Sequence, residues 1–320
     1  MVQVIWVRVL LLMVVIGYLE LVNCAYSDTS ETREILHLDG IWNCYCERDS
    51  NESLDYREKH GLRKLNGIVK MPVPGSLIDF DPKSCPRSVW YERSFFVPKS
   101  WKYERIILIR LDGLGFDTVL WLNGEIIERS NKHFEELDVT DRLVYDSENR
   151  IALEVQNSPK NRSEFQEIPR SISLLSVPEI LYIQSISVAS TVTNDTAFIS
   201  YKAIAGGLLK INAKCVSVQV LDKDDLQVAF SLGNDSLEGS FSIPNFNYWR
   251  PFCMDSNRAG YLYTLVFKLY YKYCESDIKD VYRMKIGIRP LSWSNNSLTM
   301  NDKSLYLQGV RGSNEWAVSF

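Results

Sequence analysis

The sequence predicts an all-β protein made of two successive β-sandwiches. Asn123-Gly124 lies between two short runs rich in β-branched and aromatic side chains. It indicates a hairpin, because both central residues of a type I′ turn need positive φ. Residues 149–156 alternate between apolar and polar side chains, as in a strand with one buried face. Seven further strand-like runs, separated by turn residues, follow Pro178 and predict the second sandwich.

Residues 1–25 read as a signal peptide. One basic residue, Arg8, precedes an apolar run from Val9 to Ile16, and small residues follow near Cys24 and Ala25. This order is typical of a secretory signal, and the apolar run is short for a bilayer span. An uncleaved membrane anchor is the alternative. We expect cleavage near Cys24 or Ala25, entry into the secretory pathway, a lysosomal or extracellular location, and no membrane association after cleavage.

Secretory entry changes how the asparagines and cysteines are interpreted. Five Asn-x-Ser/Thr sequons without a central proline predict a glycosylated surface: Asn51, Asn161, Asn194, Asn234 and Asn295. Six cysteines follow Cys24, three in each half of the chain: Cys44, Cys46, Cys85, Cys215, Cys253 and Cys274. An oxidising compartment permits disulfides, but an odd number per half leaves at least one cysteine free or paired across the halves. We expect most of the six to be buried free thiols, which behave as small hydrophobes.

Residues 26–179 are predicted to form the first sandwich, a jelly roll. Near the Asn123-Gly124 hairpin, the run Ser94–Val97 stops at Pro98, which cannot donate to a strand ladder. Arg105–Leu111 is almost wholly apolar, as expected for a strand covered on both faces.

Residues 180–288 are predicted to form an immunoglobulin-like sandwich from the seven later runs. These runs are Leu181–Ala189, Ala197–Ala203, Cys215–Leu221, Gln227–Leu232, Glu238–Ile243, Tyr261–Tyr273 and Val281–Ile288. Aromatic residues could form a sugar-binding platform in either sandwich, but they fit core positions better. The residues concerned are Trp90, Tyr91 and Trp121 in the first, and Trp249, Tyr261 and Tyr263 in the second.

The composition and motifs exclude several functional classes. A formal net charge of −4 gives no reason to expect nucleic acid or an anionic membrane as a partner. The three histidines and the cysteines show no metal-ligand spacing, so we predict no metal. No P-loop, no Gly-x-Ser-x-Gly elbow and no Gly-x-Gly-x-x-Gly opening a helix occurs, so we predict no cofactor.

Six motifs, in order, resemble the galactose-binding-like, sugar-binding domain of β-glucuronidases, which belong to glycoside hydrolase family 2. They are DGIW (39–42), MPVPGSLID (71–79), VWYERSFFVP (89–98), LWLNGE (120–125), LDVTDRL (137–143) and NRIALEVQN (149–157). In the second sandwich YWRPF (248–252), GYLYTL (260–265) and GIR (287–289) resemble the family's immunoglobulin-like domain. The loops at residues 160–170 and before Phe134 depart from the family pattern.

The resemblance implies that catalysis belongs to a (β/α)8 barrel following the second sandwich. Ser297–Val310 resembles the family's short hairpin and first barrel strand, but a barrel needs roughly 200 residues or more. We therefore interpret residues 289–320 as a truncated start of the barrel.

Retaining glycoside hydrolysis needs two carboxyls about 5–5.5 Å apart. In the family both are glutamates on later barrel strands, and the acid/base follows an asparagine. The dipeptide Asn-Glu occurs at 51–52, inside a sequon, and at 314–315, just past the expected first barrel strand. Neither position fits, so we expect no catalytic residue and no activity from this chain alone.

The leading hypothesis is a β-glucuronidase-like member of the family. The reaction implied by the resemblance is hydrolysis of β-D-glucuronosides in carbohydrate and glycosaminoglycan catabolism. The alternative is a secreted carbohydrate-binding protein, or a regulatory or assembly partner of a full-length β-glucuronidase or of a second copy of itself.

Overall fold

The computed structural model describes residues 28–47, 61–62, 65–75, 85, 88–111, 118–130, 136–156, 168–233, 236–254, 259–271, 273–274, 277–294 and 297–306. Within these ranges the chain forms twenty β-strands and short 3₁₀ turns, with no α-helix, which confirms the all-β prediction. The described residues divide into two compact units. The first runs from Glu34 to Val177, and the second combines residues 28–33 with the chain from Pro178 onward.

Ten strands build the first unit. They are β1 (Glu34–His37), β2 (Gly40–Glu47), β3 (Val69–Val73), β4 (Ser88–Val97), β5 (Arg105–Leu111), β6 (Thr118–Leu122), β7 (Glu125–Ser130), β8 (Glu136–Asp138), β9 (Ser147–Gln156) and β10 (Ile172–Pro178). One antiparallel sheet has the order β1-β10-β5-β8, and the other has the order β3-β2-β4-β9-β6-β7. Both sheets contribute to one apolar core, so the unit is the predicted two-sheet sandwich.

The structure of the first unit contains the hairpin turn and the alternating strand that the sequence predicts. Asn123 (φ 53°) and Gly124 (φ 88°) form the two-residue turn between β6 and β7, with the two positive φ angles that a type I′ turn requires. In β9, Ile151, Leu153 and Val155 lie in the core, so the predicted alternation is confirmed.

The second unit contains all seven predicted strands, with shifted ends. They are β11 (Tyr182–Thr193), β12 (Thr196–Gly206), β13 (Ala213–Leu221), β14 (Gln227–Leu232), β15 (Glu238–Pro244), β16 (Tyr263–Tyr271) and β17 (Ile278–Ile286). The sheets β11-β12-β15 and β14-β13-β16-β17 enclose a second core that includes Tyr263. Tyr261 packs against this core. Trp249 is only half-buried, and the Arg289 guanidinium lies 5.3 Å from its ring centre.

A small third sheet follows β17 in the same unit. Its strands are β18 (Leu291–Trp293), β19 (Leu298–Met300) and β20 (Lys303–Ser304), in sequence order. Asn301 (φ 53°) and Asp302 (φ 61°) form the turn between β19 and β20, which confirms the hairpin within 297–310. The rest of the stretch 297–310, in which the first barrel strand is predicted, lies outside the described residues from residue 307 onward.

Residues 28–33 belong to the second unit, whereas the sequence-based boundaries place them in the first domain. Their anchor is a buried ion pair between Arg33 and Asp280, with side chains 2% and 0% exposed. Asp280 also accepts hydrogen bonds from Thr32 Oγ1 (2.7 Å) and from the Ile183 backbone N–H (2.7 Å). The guanidinium lies 4.6 Å from the Tyr282 ring centre. The carboxylate therefore binds groups from two separate segments, residues 28–33 and β11.

Loss of one member of this pair should destabilise the second unit strongly. Asp280→Asn leaves the Arg33 charge buried without its counter-ion, so we expect the free energy of unfolding to fall by about 3–5 kcal/mol. The matched control is Glu238→Gln, which breaks an exposed pair with Lys202 (3.4 Å) and should cost less than about 1 kcal/mol. Denaturant unfolding measures both values. Similar losses in the two variants would contradict a special role for the buried pair.

The expectation that most cysteines are free is wrong. Cys46 pairs with Cys85 in the first unit, and Cys215 pairs with Cys274 in the second. The fold brings their Cα atoms to 5.6 and 5.3 Å, within the range that a disulfide needs. Cys44 and Cys253 are free, which leaves one free cysteine in each half.

Cys44 is a buried free thiol, as the sequence predicts. Burial raises its pKa to about 12, so the side chain is neutral at physiological pH and packs in the first core as a small hydrophobe.

Candidate functional site

The candidate site lies on the outer face of the six-stranded sheet, the face turned away from the first core. Residues directly opposite one another on neighbouring strands share a face. The register therefore places one row across five strands of this face: Lys70, Asn43, Glu92, Ala152 and Trp121.

One part of this outer face is a small second core. The Trp90 and Trp121 rings are in contact, tilted by 44° with centres 5.8 Å apart, and Leu62, Val119 and Ala152 pack with them. Residues 61–62 and 65–68 cover the cluster, with Leu65 and Ile68 half-buried against it. Trp90 is 2% exposed and Trp121 is 8% exposed. The prediction that these aromatics are core residues is confirmed, as it is for Tyr91 in the main core.

Glu92 holds the covering segment in place. Its side chain is 1% exposed, and its Oε2 accepts a hydrogen bond from the Leu62 backbone N–H at 3.0 Å. Gly61 (φ 92°) lies against the same carboxylate. A Cβ on Gly61 would lie 2.5 Å from Arg150 Nη1 and closer still to Glu92 Oε2. The segment can approach the sheet this closely only because residue 61 has no side chain.

Gly61→Ala should therefore open this cover. We expect a loss of about 2–4 kcal/mol in the free energy of unfolding, from left-handed backbone strain plus overlap with the charged groups. Gly67→Ala is the matched control, because Gly67 also has positive φ (85°) but its Cβ would meet nothing within 4 Å. It should lose only about 1–2 kcal/mol. Denaturant unfolding followed by tryptophan fluorescence measures both variants. Equal losses would mean that Glu92 and Arg150 do not confine residue 61.

Beside Glu92 the outer face forms an open depression of about 710 Å³. Its lining comprises Ile41, Asn43, Ile68, Lys70, Glu92, Arg93 and Ser94. The Lys70 ammonium donates to Asn43 Oδ1 at 2.6 Å, and the Arg93 guanidinium donates to the Leu38 carbonyl at 2.7 Å. The groups that line it are suited to hydrogen bonding and to charge recognition.

No group of three or more His, Cys, Asp or Glu side chains in the described part of the chain could hold a metal ion. The described residues also include no helix long and apolar enough to cross a membrane.

Of the five sequon asparagines predicted from the sequence, only Asn194 lies within the residues that the structure describes. It is exposed and occupies the turn between β11 and β12 with φ 53°. Asn51, Asn161, Asn234 and Asn295, and the Asn314-Glu315 dipeptide, lie outside the described residues. The sequence analysis did not single out Glu92, although the alternation along residues 88–97 places it on the same face as Trp90.

The amino-acid sequence is similar to that of known β-glucuronidases. No protein-family model matches the chain. Curated β-glucuronidases match over 89% of the chain, with 26% identity for the Sus scrofa protein and 25% for the Homo sapiens protein. The protein from Paenibacillus borealis matches 87% of the chain at 26% identity. In each case the chain spans only about half, 49%, of the relative.

Solved structures agree on the fold. The Bifidobacterium dentium β-glucuronidase complexed with coumarin-3-O-glucuronide superposes with a TM-score of 0.70 at 23% identity, covering 89% of this chain and 53% of that one. A Ruminococcus gnavus β-glucuronidase gives a TM-score of 0.69 at 22% identity, with 90% and 51% covered. The chain is thus homologous to β-glucuronidases of glycoside hydrolase family 2 over about the N-terminal half of their length.

Proposed function

We propose that these 320 residues serve as the non-catalytic β-sandwich part of a β-glucuronidase-type glycosidase and do not hydrolyse β-glucuronosides unaided. The observation that carries this proposal is the extent of the homology, which covers 89% of this chain but 49% of the relatives. The described residues are two β-sandwiches and a short hairpin sheet. Hydrolysis would then require a barrel, supplied by further residues of a longer chain or by a partner.

The buried carboxylates of the first unit support this proposal. Glu92 faces Asn43 and Glu47 faces Ser88, so the two glutamates are four residue pairs apart along the sheet. At about 3.3 Å per residue their backbones are about 13 Å apart. Retaining hydrolysis needs carboxyls about 5–5.5 Å apart. Glu47 is also occupied, since it accepts a hydrogen bond from Ser88 Oγ at 2.6 Å.

We expect the purified chain not to turn over a fluorogenic β-glucuronide. The assay compares it with the Sus scrofa β-glucuronidase as positive control and with the heat-denatured chain as background. Activity that follows the chain through every purification step would contradict the proposal. Loss of that activity in Glu315→Gln would then place the chemistry on Asn314-Glu315.

We also propose a location in the secretory pathway, lysosomal or extracellular. Two disulfides support it, because such bonds persist in oxidising compartments. The exposed turn position of Asn194 supports it as well, since a glycan there would extend into solvent.

Expression in a eukaryotic secretory host tests this location. We expect endoglycosidase treatment to increase the gel mobility of the wild-type chain, and Asn194→Gln to remove one glycan. Asn245→Gln is the matched control, because Asn245 is also exposed with positive φ (50°) but begins no sequon. It should leave the glycan number unchanged. A chain that stays in the cytosol with reduced cysteines and no glycan would contradict the proposal.

A further inference from the structure

We propose that the depression on the outer face binds a small, hydroxyl-rich ligand that carries a carboxylate, of the size of one acidic monosaccharide. The inference rests on the charge, hydrogen bonding and shape of this surface, and it requires no catalytic activity. A chain that hydrolyses nothing could still bind such a ligand.

The size and construction of the depression fit a small molecule. Its volume of about 710 Å³ lies in the range of about 300–1,000 Å³ typical of ligand sites. The lining comes from β2, β3 and β4 and from Ile68, which directly precedes β3. Side chains on paired strands hold their positions better than side chains on loops, so the site is largely preformed.

Lys70 supplies the positive charge for a carboxylate. Its ammonium has three donors, and the hydrogen bond to Asn43 Oδ1 uses one of them. Lys70 forms no ion pair with any residue in the described ranges. It is exposed, so a ligand can reach it from solvent.

The acidic side chain among the described lining residues, Glu92, is buried beneath the surface that carries this charge. The Glu92 carboxylate is 1% exposed and accepts the Leu62 N–H. The Arg150 guanidinium lies against Gly61 beside the same carboxylate. The Glu92 carboxylate is therefore held within the fold, below the surface that a ligand would contact.

The remaining lining residues suit a sugar ring. Asn43 Oδ1 is bound to Lys70, which leaves its NH₂ group as a donor for ligand hydroxyls, and Ser94 adds a hydroxyl to the lining. Ile41 is 61% exposed and Ile68 is half-buried. Their side chains offer an aliphatic surface to the C–H groups of a ring. The described lining residues include no aromatic ring, so we expect weak binding, with a Kd of about 1 mM.

Ligand-observed NMR titration of the full chain tests the site, with sodium D-glucuronate as the probe. D-glucose lacks the carboxylate and acetate lacks the hydroxyls, so each should bind at least about fivefold more weakly, a difference of about 1 kcal/mol. Absence of glucuronate binding up to about 10 mM, ten times the expected Kd, would overturn the proposal. Equal binding of glucose would overturn the role of the ammonium.

Two variants assign the binding to this surface. Lys70→Gln removes the charge, and Asn43→Asp places a carboxylate beside Lys70 that competes with the ligand. Both should weaken glucuronate binding about tenfold while leaving the unfolding transition in place. Lys202→Gln, an exposed lysine on β12 that is paired with Glu238, is the control and should bind like the wild type. Unchanged binding in both site variants would show that the ligand sits elsewhere and would overturn the assignment.

Discussion

The buried carboxylate of Glu92 is the constraint on which the outer face of the first sandwich depends. A carboxylate removed from water must be paired or hydrogen-bonded, and here the Leu62 N–H meets that need. This bond holds Leu62 against the sheet, where Leu62, Leu65 and Ile68 pack around Trp90 and Trp121. What remains open to solvent is the polar area between β2, β3 and β4. One buried charge thus decides which part of this face is core and which part is surface.

The second unit uses a buried carboxylate in the same way. The Asp280 carboxylate accepts hydrogen bonds from Thr32, Arg33 and Ile183. It thereby fixes residues 28–33, which are distant in sequence, against β17. In both units an acidic side chain on a strand binds backbone or charged groups of a segment that forms no strand itself. Burial makes such bonds costly to break. Segments outside the strands are therefore tied to the sheets by bonds that are costly to break.

Sequence predicted the features that depend on neighbouring residues. The Asn123-Gly124 turn, the alternation in β9 and the seven strands of the second unit are all local patterns, and the structure contains them. The contacts that organise the candidate site are long-range instead. Glu92 is 30 residues from Leu62, Cys46 is 39 residues from Cys85, and Arg33 is 247 residues from Asp280. No periodicity predicts such pairings, because the partners are far apart in sequence and close only in the folded structure.

The placement of the tryptophans limits what the first sandwich can do as a sugar-binding domain. Aromatic platforms bind sugars through exposed rings, but Trp90 and Trp121 are committed to a covered cluster. Among the described residues, recognition around the depression then depends on ammonium, amide and hydroxyl groups. Such groups select ligands by charge and hydrogen bonding more than by apolar area, and they bind weakly when few are present. A weak, charge-selective site of this kind would act best beside a second binding or catalytic element, where a raised local concentration compensates for low affinity.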